Sequence, residues 1–149
     1  MADASAGKAH ETVRTRETGA TATVGRTGFP HIRSATGGEI DIVTGVHQAG
    51  FNPLELLYAS LSACLVMSAR IAASRLGVLQ VLEEVSAAVT GEKAHDEPSR
   101  VAHFDIRFTI KGDFDDATRR EIARLAEEEI CTVSNTISSN PEFTMSLVD

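Results

Sequence analysis

The stretch from Asn52 to Gly77, NPLELLYASLSACLVMSARIAASRLG, limits what this chain can fold into more than any other. Between Glu55 and Arg70 it holds no charged side chain, and its apolar or small residues fall on every side of a helical wheel. That is the pattern of a helix buried all round. Its start is well specified: Asn52 suits the N-cap, Pro53 the first helical position, and Glu55 the third, where its carboxylate can reach back to the capping amide. Gly77 suits the exit. Everything else must wrap this rod, and a chain of 149 residues can bury one core of ordinary size. A single domain over residues 1–149 is expected, with residues 1–9 a frayed tail. One chain of this length has difficulty covering such a rod on more than one side, which predicts an obligate homodimer sharing the central helices.

The net charge of -7 and the lack of any Lys/Arg block disfavour nucleic acid and anionic membrane surfaces as partners, because nothing neutralises phosphates. The uncharged run from Leu56 to Ala69 falls short of the roughly 20 apolar residues that a membrane span needs. The opening MADASAGKAHETVRTRETGA has no apolar core of a secretory signal. These features predict a soluble cytoplasmic protein, whose two cysteines, Cys64 and Cys131, rest as thiols unless chemistry oxidises them.

Upstream of the rod, from Thr12 to about Val43, short alternating runs (ETVRTRE, ATATVG, HIRSA, EIDIV) are broken at RTG and TGG. They predict three or four strands in a meander, followed by a loop over Thr44 to Phe51. After Gly77, a strand is expected over Glu83 to Glu92, although Leu82, Val85, Ala87 and Val89 alternate only in part. Arg100 to Lys111 alternates cleanly, with Val101, His103 (or Ala102), Phe104, Ile106, Phe108 and Ile110 marking its buried face, and the two strands read as a hairpin. Asp115 to Ile130 is an amphipathic helix with a stripe of Ile122, Leu125, Ala126 and Ile130, and aspartates at its positive end. Cys131 ends that helix or begins the next turn, and a last short strand over Glu142 to Val148 is expected to close the domain. Strands, a long helix, two strands, a helix and a final strand do not alternate strictly. The order predicts an α+β fold with a mainly antiparallel sheet wrapped around the central helix.

Cys64 lies near the middle of an element that cannot easily move. A lone cysteine on a buried helix is commonly a small inert hydrophobe, and a nucleophile only where its surroundings ionise it. Cys131 precedes Thr132, Ser134, Asn135 and Thr136, which are residues that cap helices; a helix N-terminus beneath it would favour a thiolate. Arg26 sits in the turn GRTG, where arginines are ordinarily solvated, yet an arginine beside a thiol lowers its pKa and offers paired donors to a peroxide or carboxylate oxygen. The five histidines share no ligand spacing, so no metal site is expected. There is no phosphate-binding loop, dinucleotide fingerprint or serine-hydrolase elbow either.

The segment NPLELLYASLSACLVMSARIAASRLGV resembles the helix motif of the OsmC/Ohr family, the osmotically inducible and organic hydroperoxide resistance proteins, in which NPxxLL and small residues lead to a cysteine. CTVSNTIS resembles that family's second motif, a cysteine followed by Pro-Val-Ser-Asn, and TATVGRTG is similar to the strand and turn that carry its arginine. The likeness runs from about Ala20 to the C-terminus. It implies an intertwined homodimer with active sites at the interface and a thiol-dependent peroxidase. Carried onto this chain, it implies that Cys64 is the peroxidatic nucleophile, Cys131 the resolving thiol and Arg26 the group that steadies the thiolate and orients the peroxide. It further implies no bound cofactor, and an external dithiol reductant such as a lipoylated protein. An apolar pocket lined by Leu54, Leu57 and Leu61 would favour organic hydroperoxides. Other expectations compatible with the same fold are a non-catalytic stress protein binding a small apolar ligand, and a thiol redox sensor. Where the family's peroxidases place a glutamate directly after Asn-Pro, this chain has Leu54. Glu55, one place later, is turned about 100° away and is read as the capping partner of Asn52.

Overall fold

The computed structural model describes residues 16–148. The expected tail over residues 1–9 and most of the ETVRTRE run lie outside them. Contacts divide the chain into two compact units, one up to Asn52 and one from Pro53 onward. The first holds strands alone and the second helices and a hairpin, so the chain as a whole is α+β, with every strand ladder antiparallel.

In the first unit, β1 (Ala20–Thr23), β2 (His31–Ser34) and β3 (Glu39–Asp41) form a sheet in that order. The turn between β2 and β3 closes tightly, with the Ser34 amide donating to the Gly38 carbonyl at 2.8 Å and the Gly37 amide to the Ser34 carbonyl at 3.0 Å. Gly37 has φ of 93°, a left-handed backbone that glycine enters without a Cβ penalty. The exposed pairs His31 with Asp41 and Arg33 with Glu39 face each other across the β2–β3 ladder. EIDIV is a strand only as far as Asp41. Ile42 beyond it is buried and makes an isolated parallel bridge to Phe51, closing the expected loop.

The second unit is built on α1 (Pro53–Arg75). Pro53 opens it, and Gly77, with φ of 74°, closes it in a Schellman arrangement: the Gly77 amide donates to Ser74 at 3.1 Å and the Val78 amide to Ala73 at 2.9 Å. A short 3₁₀ turn, Leu79–Val81, leads to a long hairpin of β4 (Leu82–Lys93) and β5 (Val101–Gly112). Its inner face pairs Val85 with Ile110, Ala87 with Phe108 and Val89 with Ile106. The register shifts between Leu82 and Glu84 and again between Glu92 and Lys93. Each bulge inserts a residue and changes the phase of the alternation, which is why Leu82 and Val85 do not alternate. It also overturns the placing of His103 on the buried face: His103 and Ala102 are exposed, whereas Val101 and Phe104 on either side are half-buried.

The expected helix over Asp115 to Ile130 exists as two pieces. In α2 (Asp116–Arg124) the Asp115 carboxylate caps the start, accepting from the Thr118 amide at 2.8 Å. The chain then widens into a π turn over Leu125–Ile130 before α3 (Thr132–Ser138). Ile122 and Ala126 are fully buried and join Ala69, Ala72 and Ala73 of α1 and Ile110 of β5 in one core cluster.

Two expectations are corrected. Within the chain α1 is not buried all round: Leu61, Leu65, Ser68, Ala69, Ala72 and Ala73 are buried, whereas Met67 and Ile71 are exposed. A helix apolar on every side needs more cover than the hairpin, α2 and α3 supply. The final strand over Glu142 to Val148 does not form. This segment has no regular structure, and Phe143, Met145, Leu147 and Val148 stand exposed. Its period-2 pattern is that of a strand, but a strand needs a ladder neighbour, and none pairs with it among the described residues. By length and composition α1 could also cross a membrane; its packing against the hairpin, α2 and α3 makes it a core helix here.

Candidate active site

Leu54, Leu57, Leu61, Cys64 and Ser68 recur at helical spacing and so share one stripe of α1. Leu54 and Leu57 are half-buried and Leu61 is buried. Cys64, one turn beyond Leu61, is half-buried, and the stripe continues to Ser68, the one buried polar residue among those described.

The second cysteine arrives from the far end of the unit. Because the π turn adds a residue to the coil, the Cys131 amide donates to the carbonyl of Ala126, five residues back, at 2.9 Å. Cys131 itself is extended (φ -67°, ψ 104°) and forms the N-cap of α3, its sulfur accepting from the Ser134 amide at 3.3 Å. The Asn135 side chain ties α3 back to the Glu129 carbonyl at 3.3 Å. Arg124 fastens the π turn from outside by pairing with Glu121, Glu128 and Glu129. Cys131 is fully buried in a second core cluster with Leu61 and Leu65, against which Cys64, Phe104, Ile106, Val133 and Ile137 pack.

The two thiols therefore meet, although they are far apart in sequence, and both are free. Their environments differ in sign. Burial disfavours the Cys64 thiolate, but it is outweighed by the Val133 amide, the Cys131 thiol, the Ser68 hydroxyl and the Thr132 amide, all of which hydrogen-bond its sulfur, and its pKa falls below the usual thiol value. Burial pushes Cys131 up to about 11, and the neighbouring Cys64 sulfur adds to the rise by taking the Cys131 proton as a hydrogen bond and by its charge. A thiolate is the nucleophile and a thiol is not. Cys64 is thus the more readily ionised of the pair and Cys131 the more firmly protonated, a pairing suited to attack at one sulfur and condensation at the other.

The N-terminus of α3 does favour a thiolate, as its composition predicts, but the thiolate is that of Cys64. Cys131 is the cap; the Thr132 amide favours the Cys64 thiolate, and the Val133 amide acts on both sulfurs. Arg26 lies on an exposed bend after β1, in the first unit, whereas both cysteines and the three leucines belong to the second. Sequence reasoning missed Ser68 and the two α3 amides. Ser68 had a signal, its spacing of four residues from Cys64, whereas the amides had none, because every residue except proline carries one. Among the described residues, no group of three or more His, Cys, Asp or Glu side chains gathers to hold a metal ion.

Residues 45–146 match the family model described as OsmC-like protein. The chain belongs to the OsmC-like protein family. Solved structures of the same fold include an OsmC-like protein from Mycoplasma pneumoniae, 18% identical with a TM-score of 0.72, covering 84% of this chain and 89% of that one. Another is an organic hydroperoxide resistance protein OsmC from Legionella pneumophila, titled a predicted redox protein and regulator of sulfide bond formation. It is 23% identical with a TM-score of 0.65 and covers 84% of this chain and 91% of that one. A third is the organic hydroperoxide resistance protein OhrB of Bacillus subtilis, 25% identical with a TM-score of 0.59, over 84% and 93% of the two chains. No curated protein sequence matches significantly. The family is thus one associated with redox chemistry and peroxide resistance. Thr132 of this OsmC-like chain stands where the family's second motif has proline, and a proline could not donate the amide hydrogen that Thr132 offers to Cys64.

Proposed function

We propose that this OsmC-like protein is a thiol-dependent peroxidase that reduces organic hydroperoxides. The Cys64 thiolate attacks the terminal oxygen of the hydroperoxide, the O–O bond breaks, and the leaving alkoxide takes a proton to become an alcohol. Cys64 is then a sulfenic acid. The Cys131 thiol condenses with it, forming the Cys64–Cys131 disulfide and releasing water. An external dithiol, such as a lipoylated protein, returns two electrons and two protons to restore both thiols. The observation that carries this reading is the pair of touching thiols driven in opposite directions, one toward thiolate and one away from it.

Leu54, Leu57 and Leu61, on the stripe that leads to Cys64, are the apolar surface for an alkyl chain. Arg26 is the cation proposed to steady the Cys64 thiolate and orient the peroxide. The working form is a homodimer in the cytoplasm, in which a second copy covers Met67 and Ile71 and offers the Glu142 to Val148 segment the ladder it lacks within one chain. Supporting this are the exposed apolar side chains on both elements.

Single-turnover oxidation with cumene hydroperoxide, read by intact mass, tests the chemistry. The wild type should lose two hydrogens, and Cys131→Ser should hold one added oxygen or more on Cys64. Thiols that stay unreactive overturn the peroxidase and favour a non-catalytic binder of apolar ligands. For Arg26, the pH profile of Cys64 alkylation should move upward in Arg26→Ala; a profile identical to wild type removes Arg26 from the site.

A further inference from the structure

Along the inner face of β4, Val85, Ala87, Val89 and Gly91 follow at every second residue, and Gly91 is the one of these without a side chain. A glycine inside a strand weakens it and marks a place where something else comes close. Here that neighbour is Tyr58 of α1: a Cβ added at Gly91 would stand 2.6 Å from Tyr58 Oη, 3.0 Å from its Cε1 and 2.8 Å from Val101 Cγ1. The Tyr58 ring also meets Phe104, the ladder partner of Gly91, edge-on, with centroids 6.1 Å apart and planes at 85°, an arrangement that aromatic pairs favour. Tyr58 therefore reaches from α1 to both strands of the hairpin and closes the space between them at that end. It follows Leu54 by four residues and precedes Leu61 by three, so its side chain stands between those two on one side of the helix. Leu61 is on the Cys64 side of the ring and Leu54 is beyond it. Phe104, against which the ring rests, packs on the same cluster of Leu61, Leu65 and Cys131 as Cys64 does.

We infer that Tyr58 is a specificity-determining residue, the end wall of the alkyl site. It admits compact branched or aryl hydroperoxides and turns away straight chains longer than the roughly 9 Å that six residues of helix place between positions 58 and 64. This deepens the peroxidase reading and rests on it for the identity of the substrate, but the wall limits any reagent that carries an alkyl chain to Cys64. Gly91 is the notch that lets the ring sit there, and Phe104 is the surface that holds it.

The test is the rate at which Cys64 of the pre-reduced full-length protein is labelled by N-ethylmaleimide and by N-dodecylmaleimide, assigned by peptide mass. In the wild type the long reagent should be slower by about tenfold or more. Tyr58→Ala should bring the ratio of the two rates toward one, and Tyr58→Phe, which keeps the ring, should restore the wild-type ratio. Tyr58→Leu, a smaller apolar side chain, carries the expectation of Tyr58→Ala should that variant not fold. A merely structural Tyr58 would lower the unfolding temperature and shift both rates alike, leaving their ratio in place. That result overturns the inference, as does a wild type labelled equally fast by both reagents. Cumene and dodecyl hydroperoxides added to the wild type separate the two readings. A Cys64 that ignores both peroxides but whose labelling ratio follows Tyr58 overturns the peroxidase alone; a Cys64 oxidised by both, with a labelling ratio indifferent to Tyr58, overturns this inference alone.

Discussion

The seats of the two sulfurs share a wall and differ in nearly everything else. Both belong to the cluster of Leu61 and Leu65 against which residues of the β4–β5 hairpin pack, Cys131 fully buried within it and Cys64 half-buried at its side. At Cys64, two amides from the start of α3, a hydroxyl from α1 and the other thiol converge on one sulfur. At Cys131, complete burial is answered by the amides of Ser134 and Val133 alone, and the nearest charge is the other sulfur. Burial, deeper at Cys131, and the donors that converge on Cys64 act together to decide which thiol ionises. The inequality also feeds itself, because each step of ionisation at Cys64 raises the cost of ionising Cys131.

The largest consequence is in stability at alkaline pH. Cys131 has its folded pKa raised from 9.0 to about 11, so between those values the native state holds a proton that the unfolded chain has released. Stability then falls as pH rises through this window, by about 3 kcal/mol in all. Cys64 acts in the opposite sense. Its folded pKa lies below the unfolded one, so its contribution is complete above the unfolded value and is lost as pH falls through the folded one. Urea midpoints measured under reducing conditions at pH 8 and pH 11 should show the decline in the wild type. Cys131→Ser, which keeps a capping acceptor and removes the titration, should lose that part of it. An equal decline in both proteins would mean that the two seats do not differ as described.

Much of the fold was legible because its signals are local. Pro53 and Gly77 fix the ends of α1, the TGG run closes the β2–β3 turn, and Asp115 caps α2. The residues that misled belong to places where one extra residue changes a period. His103 was assigned to the wrong face because the bulge beside Lys93 shifts the alternation, and Ile130 was joined to a continuous α-helix because nothing in LAEEEI announces a π turn. The Phe143 to Val148 alternation was legible as a strand pattern but not as one without a neighbour, since a ladder is made by two segments and a sequence shows one. At the site, the meeting of Cys64 and Cys131 followed from the family resemblance rather than from spacing. The amides that favour Cys64 were invisible, because a backbone donor has no letter of its own.

Thr132 is the exception, and it gives the finest test of the comparison. Its side chain is exposed, so its part in the site is played by its amide hydrogen, which is directed at the Cys64 sulfur. Thr132→Pro deletes that hydrogen and little else. The position is the first residue of α3, where proline's fixed φ suits a helix and its missing donor breaks no intrahelical bond. The preceding residue, Cys131, already has the extended backbone that proline demands of its neighbour. The helix should therefore survive, with the circular dichroism spectrum unchanged. The Cys64 alkylation midpoint should rise by less than about one pH unit, since the Thr132 amide is the weakest of the donors to that sulfur. Such a rise would mean that a single main-chain hydrogen separates this chain's more acidic thiol from that of a relative with proline there. A midpoint that does not move would assign the acidity of Cys64 to Val133, Cys131 and Ser68, and the difference between the two seats to donors that a proline-bearing relative could equally supply.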